Sequence, residues 1–217
     1  MAHVSLLEQL ARHGVVPVVG LEEAATALPL ADALAEGGLP LVEITFRTAA
    51  AAEAVRAITS QRPGMVVGAG TILTLENLEA AKASGAAFGV APGLNPQIVR
   101  HSRQIGLPFI PGVATATEIE QALSLDCRLL KFFPAEALGG VAMLEALAAP
   151  FRHTGVRFMP TGGISKANLA AYLKLEVVAA AGGSWIAKAE DLAHGQWEAV
   201  RQRCRETLAL AAEARRH

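Results

Sequence analysis

The sequence predicts an α/β fold: a single (β/α)8 TIM barrel domain over residues 1–217, with an extra N-terminal helix. Three observations lead there. Short apolar runs rich in β-branched residues recur eight times, roughly 20–28 residues apart, the rhythm of a strand followed by a helix. The runs are apolar almost throughout rather than alternating, as strands buried on both faces must be. The chain has 217 residues, 52% hydrophobic and 18% charged, which suits one large core. An open doubly wound sheet uses the same units. The count of eight, and the absence of G-x-G-x-x-G after the first run, favour the barrel.

The eight runs are 15–20, 41–46, 65–72, 87–92, 108–113, 129–134, 157–162 and 177–182. Helical patterns fill the gaps. Residues 22–36 are rich in Ala and Leu and stop at Gly37-Gly38. Residues 74–84 start at Thr74, an N-cap type, and stop at Gly85. In 115–125, Thr115 and Glu118 have capping-box spacing. Ser165 is placed to cap 166–173. Residues 4–12 read as an amphipathic helix closed by Gly14, outside the βα repeat and assigned to the barrel bottom. Trp197, Val200, Cys204 and Leu208 share one face of a last helix.

Composition narrows the function. A net charge of −1 and a pI near 6.6 give no chain-wide attraction to nucleic acid or an anionic membrane. No apolar run reaches the ~18 residues of a membrane span. Residues 1–14 carry Glu8 and Arg12 and lack the apolar core of a signal peptide. The two cysteines, Cys127 and Cys204, are far apart and form no C-x-x-C, so they read as thiols of a reducing cytoplasm. The six histidines fall in helical or terminal segments and are assigned no catalytic or metal role.

In such barrels chemistry gathers at the C-terminal ends of the strands. Five lysines occur, and only Lys131 lies inside an apolar strand. Strand alternation puts Leu129, Lys131 and Phe133 on one face, assigned to the barrel interior. Burying an ammonium is costly, and desolvation favours the neutral amine, which can attack a ketone to form an imine. A structural lysine paired with a buried acid is the other reading. Glu43 is the only acid embedded in an apolar strand. Glu43, Thr45 and Arg47 share a face, with Arg47 about 13 Å further along, near the mouth. A desolvated glutamate can shuttle protons near neutral pH. Thr161-Gly162-Gly163 and Gly182-Gly183-Ser184 end neighbouring strands, where barrels bind phosphate through backbone N–H groups. Thr71 ends the third strand and Pro92 the fourth.

With those residues in place, the sequence resembles the 2-keto-3-deoxy-6-phosphogluconate and 4-hydroxy-2-oxoglutarate aldolases. The carriers are Glu43-Ile-Thr-Phe-Arg47-Thr48, Gly68-Ala-Gly-Thr71, Pro111-Gly-Val, Lys131-Phe-Phe-Pro-Ala-Glu136, Pro160-Thr-Gly-Gly-Ile164 and Gly182-Gly-Ser-Trp185. The match runs in order through roughly residues 15–205. The resemblance implies a class I aldolase of the Entner–Doudoroff route that needs no metal or cofactor. It would release pyruvate and glyceraldehyde 3-phosphate and would assemble as a homotrimer. It implies that Lys131 forms the Schiff base and Glu43 is the general acid and base. Arg47 and Thr71 would hold the pyruvate carboxylate region, and Phe133 would pack beside the imine. Gly162, Gly163, Gly183 and Ser184 would serve the phosphate, with Pro92 and Thr161 completing the substrate site. One departure stands out: the loop Val19-Gly20-Leu21-Glu22 reads as shortened and lacks the basic residue that family members commonly place there. The alternatives are the galactonate-derived substrate, a metal-dependent aldolase with Glu43 as ligand, another phosphate-binding barrel enzyme, and a non-catalytic phosphosugar-binding barrel.

Overall fold

The structure, a computed structural model, describes residues 5–216. Val4, His3 and His217 lie outside them. Helix α1 (Leu6–His13) opens with Ser5, whose side chain accepts from the Glu8 N–H while the Glu8 carboxylate accepts from the Ser5 N–H. Gly14, at φ 74°, ends the helix and leads straight into β1 (Val15–Val19). That junction places α1 at the N-terminal end of the strands.

The strands that follow are β2 (Leu41–Thr45), β3 (Val66–Gly70), β4 (Phe88–Val90), β5 (Phe109–Ile110), β6 (Gly112–Val113), β7 (Leu129–Phe132), β8 (Arg157–Pro160) and β9 (Ala181–Gly183). The helices are α2 (Ala27–Glu36), α3 (Ala51–Gln61), α4 (Leu75–Ala83), α5 (Pro96–Gln104), α6 (Ala116–Ser124), α7 (Gly140–Ala148), α8 (Leu169–Leu173), α9 (Ala189–Ala193) and α10 (Trp197–Ala214). Each strand pairing in the two ladders is parallel. Six strands form a curled sheet in the order β5-β4-β3-β2-β1-β9, and three form β6-β7-β8. Single bridges, Phe158 to Val178 and Thr161 to Gly182, connect β8 to the approach and body of β9.

Four expectations from the sequence are corrected in detail. The run 108–113 is two strands, because Pro111 has no N–H to donate to a ladder. Its carbonyl still accepts from the Lys131 N–H at 2.8 Å, and Gly112 N–H donates to Gly93. The run 177–182 yields only Ala181–Gly183 as strand. Arginine side chains occupy the carbonyls upstream: Arg157 bonds Val178 and Arg215 bonds Ala179. The pattern 22–36 begins as a 3-10 turn, Ala24–Thr26, before α2 takes over. Ser165 does not start a helix. Its N–H donates to Asn168 Oδ1, and α8 begins only at Leu169.

Two apolar clusters flank the strands. Leu129 and Met159 join the larger one, with Val16, Leu34, Val42 and Ile58. Leu130, Phe132 and Phe158 belong to the other, with Ile119, Leu144 and Tyr172. Neighbouring residues of β7 therefore face opposite ways, as strand alternation requires. On α10, Val200 and Cys204 are buried, and Trp197 and Leu208 pack against the core. Gly37 is needed beneath this helix, since a Cβ there would lie 2.5 Å from that of Cys204.

The capping box of α6 is complete: Thr115 Oγ1 accepts from Glu118 N–H at 3.3 Å, and Glu118 Oε2 accepts from the N–H groups of Ala114 and Thr115. Thr115→Ala is expected to cost about 1 kcal/mol. Urea unfolding should show a lower midpoint at unchanged slope.

Candidate active site

Lys131 lies on β7 and Glu43 on β2, strands of different sheets. Their side chains nevertheless meet. Lys131 Nζ is 3.9 Å from Glu43 Oε1, and the side chains are 6% and 0% exposed. Strands so far apart in the sheet order can bring side chains together only across the concave side of the curled sheet. At 3.9 Å the pair is a Coulombic contact, not a hydrogen bond. Among the described residues neither Glu43 oxygen has a hydrogen-bond partner. Burial pushes the Glu43 carboxyl up, against the opposing pull of the Lys131 and Arg47 charges. It is the natural holder of a mobile proton.

Glycine makes room for this carboxyl. Gly70 is the register partner of Thr45 on β3, and a Cβ there would lie 2.1 Å from Glu43 Oε1. Sequence reasoning quoted Gly70 as part of a motif and did not see this role, because the clash is with a residue 27 positions away. Thr71 follows at φ 58°. A β-branched residue rarely adopts that conformation, which costs of order 1–3 kcal/mol and tends to gather at functional sites. Ile72 N–H donates to Val90 and pins the turn.

Arg47 is exposed, and its Nε donates to Thr45 Oγ1 at 3.2 Å. Among the described residues it has no carboxylate partner. Thr45 is the link that sequence reading left unused: buried on the Glu43 face, it orients Arg47. Thr48 Oγ1 donates to Leu21 O at 2.6 Å and ties the β2 loop to the first loop. Arg47, Thr48 and Ser184 share a cavity of about 640 Å³ with Gly20, Glu22 and Lys188. The first loop thus contributes an acid, Glu22, to this mouth.

Phe133 bridges the two halves of the site. Its ring centroid is 5.2 Å from Lys131 Nζ, and a Cβ on Gly162 would lie 3.2 Å from its edge. Thr161 is buried, donates its N–H to Phe132 O, and packs its Oγ1 where a Gly182 side chain would be. Pro92 touches the site less directly. Its carbonyl abuts Gly112, the register partner of Lys131.

At the two glycine-rich strand ends, the N–H groups of Gly163, Ile164 and Ser184 meet no acceptor among the described residues. Gly162 and Gly163 have φ of 96° and 78°. A Cβ on Gly163 would lie 2.6 Å from Glu136, so a bulky substitution there damages the backbone as well as any anion site. The expected helix dipole is corrected, since the helix nearest these groups starts only at Leu169 and spans 5 residues. Other residues missed by the sequence reading hold these loops. Asn168 Nδ2 donates to Gly163 O. Arg203 donates to the carbonyls of Trp185 and Ile186 and pairs with Asp191 at 2.6 Å. Gly183 leaves space for the Trp185 ring, 1.8 Å from where its Cβ would be. Tyr172 donates to Glu136 at 2.5 Å, and its hydroxyl is pushed up by burial and that carboxylate. The Arg203 and Tyr172 contacts join polar groups far apart in sequence, with no local spacing to betray them. Among the described residues no group of three or more His, Cys, Asp or Glu could hold a metal ion.

A parallel α/β sheet that buries one amine against one unpartnered carboxyl, under a cationic mouth, is the framework of a carbon–carbon lyase of the aldolase class. The chain belongs to the KDPG and KHG aldolase family, whose model matches residues 6–203. It is 48% identical over 207 residues to the 2-dehydro-3-deoxy-phosphogluconate aldolase of Treponema pallidum, covering 95% of this chain and 98% of that one. A KDPG aldolase of Legionella pneumophila, solved with pyruvate captured as a covalent carbinolamine intermediate, superimposes with TM-score 0.88 at 36% identity, covering 93% and 97% of the two chains. The 2-keto-3-deoxy-6-phosphogluconate aldolase of Zymomonas mobilis, solved with 3-phosphoglycerate, gives 0.86 at 38% identity, covering 94% and 96%.

Two predictions follow from the Glu43 environment. Gly70→Ala should displace the carboxylate and lower kcat by roughly 100-fold, the scale of an ångström misplacement; steady-state kinetics on folded variant protein checks this. The second concerns pH. An acid whose folded pKa is raised stabilises the fold below its ordinary value, here 4.5, and that contribution is lost as pH rises through the folded pKa. Relative to Glu43→Gln, the wild type should therefore lose stability as pH climbs from 4.5, by up to about 1.4 kcal/mol per pH unit, then level off. Urea unfolding of both proteins between about pH 4.5 and 8 measures it. A flat difference would mean that Glu43 is ionised throughout.

Proposed function

We propose that this chain cleaves 2-keto-3-deoxy-6-phosphogluconate to pyruvate and glyceraldehyde 3-phosphate through a Schiff base on Lys131, and also cleaves 4-hydroxy-2-oxoglutarate. The observation that carries the reading is the buried Lys131–Glu43 contact at 3.9 Å, with both Glu43 oxygens unpartnered. Lys131 Nζ is buried, and Glu43 is near enough to exchange a proton with it. The amine attacks the C2 ketone, Glu43 gives its proton to the departing hydroxyl, and loss of water leaves a protonated imine facing the Glu43 carboxylate. That cation withdraws electrons from the C3–C4 bond. Glu43 takes the proton of the C4 hydroxyl, directly or through one water. The bond breaks to an enamine, which is reprotonated to the pyruvate imine and hydrolysed.

The remaining assignments belong to the same proposal. Arg47 and Thr71 hold the carboxylate region, Phe133 packs beside the imine, and Pro92 and Thr161 shape the wall. Gly162, Gly163, Gly183 and Ser184 serve the phosphate; the free N–H groups of Gly163 and Ser184 support this. No metal or other cofactor enters any step. Nucleic acid and membrane are not partners in this reading. The chain is read as one domain, a closed (β/α)8 barrel with α1 appended. Support for closure comes from the β1–β9 ladder, the bridges from β8 toward β9, and the Pro111 carbonyl that accepts from β7. A cytoplasmic homotrimer completes the reading. No helix among the described residues is long and apolar enough to cross a membrane, and Leu73 and Leu75 expose 56% and 42% of their surface beside Thr71, as a self-association face would.

Borohydride added with pyruvate should label Lys131, read by mass spectrometry of the modified peptide. The same trap should form in Glu43→Gln, whose turnover should fall roughly 10²–10⁴-fold. Labelling elsewhere, or none, would remove Lys131 as nucleophile. Full turnover in Glu43→Gln would remove Glu43 as the acid and base.

A further inference from the structure

The opposite end of the strands carries a second concentration of positive charge that the aldolase reading does not use. A cavity of about 390 Å³ there is lined by Arg157, Lys174, Glu176, Val178 and Arg215, with Ala11 of α1 at its edge. Arg157 is the first residue of β8, about 13 Å of strand away from Thr161 at the catalytic mouth. Its Nε is buried without an acceptor among the described residues, and its Nη2 makes a long 3.3 Å bond to Val178 O. Arg215 is exposed overall, but its guanidinium reaches inward to the carbonyls of Ala11 and Ala179. Desolvation, and then the Arg157 charge, hold it below its usual range. The charged groups on this cavity are thus three cations and one acid, Glu176. None of the three cations has a carboxylate within ion-pair distance among the described residues.

Two guanidiniums that repel one another, one with a buried N–H left unmet, are short of an anion. Backbone carbonyls satisfy some of their donors and none of their charge. We propose that Arg157 and Arg215 form a binding site for a phosphate-type oxoanion at this end of the strands, as the free ion or as the ester of a short metabolite. Guanidinium forks match the geometry of such an anion through paired, charge-assisted hydrogen bonds. The cavity is larger than the anion alone requires, which leaves room for a short ester chain. An occupant would tie together α1, β8 and the end of α10. It would bind only the folded chain and so stabilise it by mass action.

Thermal unfolding tests this, with inorganic phosphate or glycerol 3-phosphate added at ionic strength held constant by sodium chloride. The wild type, Arg157→Met and Arg215→Met are compared. Phosphate reaching the catalytic mouth raises all three alike, so the difference between wild type and variants reports this site. With ligand at several times its Kd, the wild-type Tm should rise by roughly 2–4 °C more than that of either variant. A larger rise with the ester than with the free ion would assign the site to a metabolite; the reverse would assign it to the ion, and both support the proposal. Equal rises in wild type and Arg215→Met, or no rise beyond that from chloride, would overturn it. Arg215→Met supplies this result even if Arg157→Met fails to fold.

Discussion

A buried lysine amine facing a buried carboxyl across the interior shared by two parallel sheets governs this molecule. Each charge alone in that interior would cost several kcal/mol, and a buried pair is often no more stabilising than apolar residues of the same size. Its retention therefore points to chemistry rather than to stability. The pair also sets geometric terms for the fold. Lys131 and Glu43 belong to different sheets, so their 3.9 Å approach requires both sheets to face a common interior. The Glu43 carboxyl needs a void beside it, and Gly70 on the adjoining strand supplies that void.

Other features fall into place around this contact. Polar groups that face reactants lie at the C-terminal strand ends, where loops can be shaped without disturbing the core. Those loops are propped from behind. Thr48 holds the first loop, Asn168 the turn after β8, and Arg203 the segment after β9. Thr71 carries backbone strain at the end of β3, where neighbouring structure can hold it. Stability thus comes from the apolar clusters on the strands, and precision comes from a small number of long-range hydrogen bonds.

The two ends of the strands handle charge differently. At the mouth, Arg47 and Lys188 stand exposed and line a cavity with Ser184. At the other end, Arg157 and Arg215 are drawn inward to backbone carbonyls. That inward pull also explains why the run before β9 is not continuous strand: carbonyls that bond a guanidinium are less available to a neighbouring ladder.

The sequence by itself determined the class of the fold, the rhythm of its strands and helices, and the identity of the central pair. These are legible because they rest on local signals: apolar runs of strand length, capping residues at fixed spacing, and a single lysine and a single acid inside apolar strands. It also located the glycine-rich strand ends. What only the tertiary structure decided is what lies between distant segments. Gly70 matters because of Glu43, Gly163 because of Glu136, and Arg157 because of Arg215. Local pattern also failed at Pro111 and Ser165. There a missing N–H, and a competing Asn168 side chain, redirected hydrogen bonds that spacing alone would assign to regular structure. For the distant pairs the physical reason is common. Hydrophobic periodicity is written into neighbouring residues, whereas steric voids, unmet donors and electrostatic partners exist only once the chain has brought remote residues within a few ångströms.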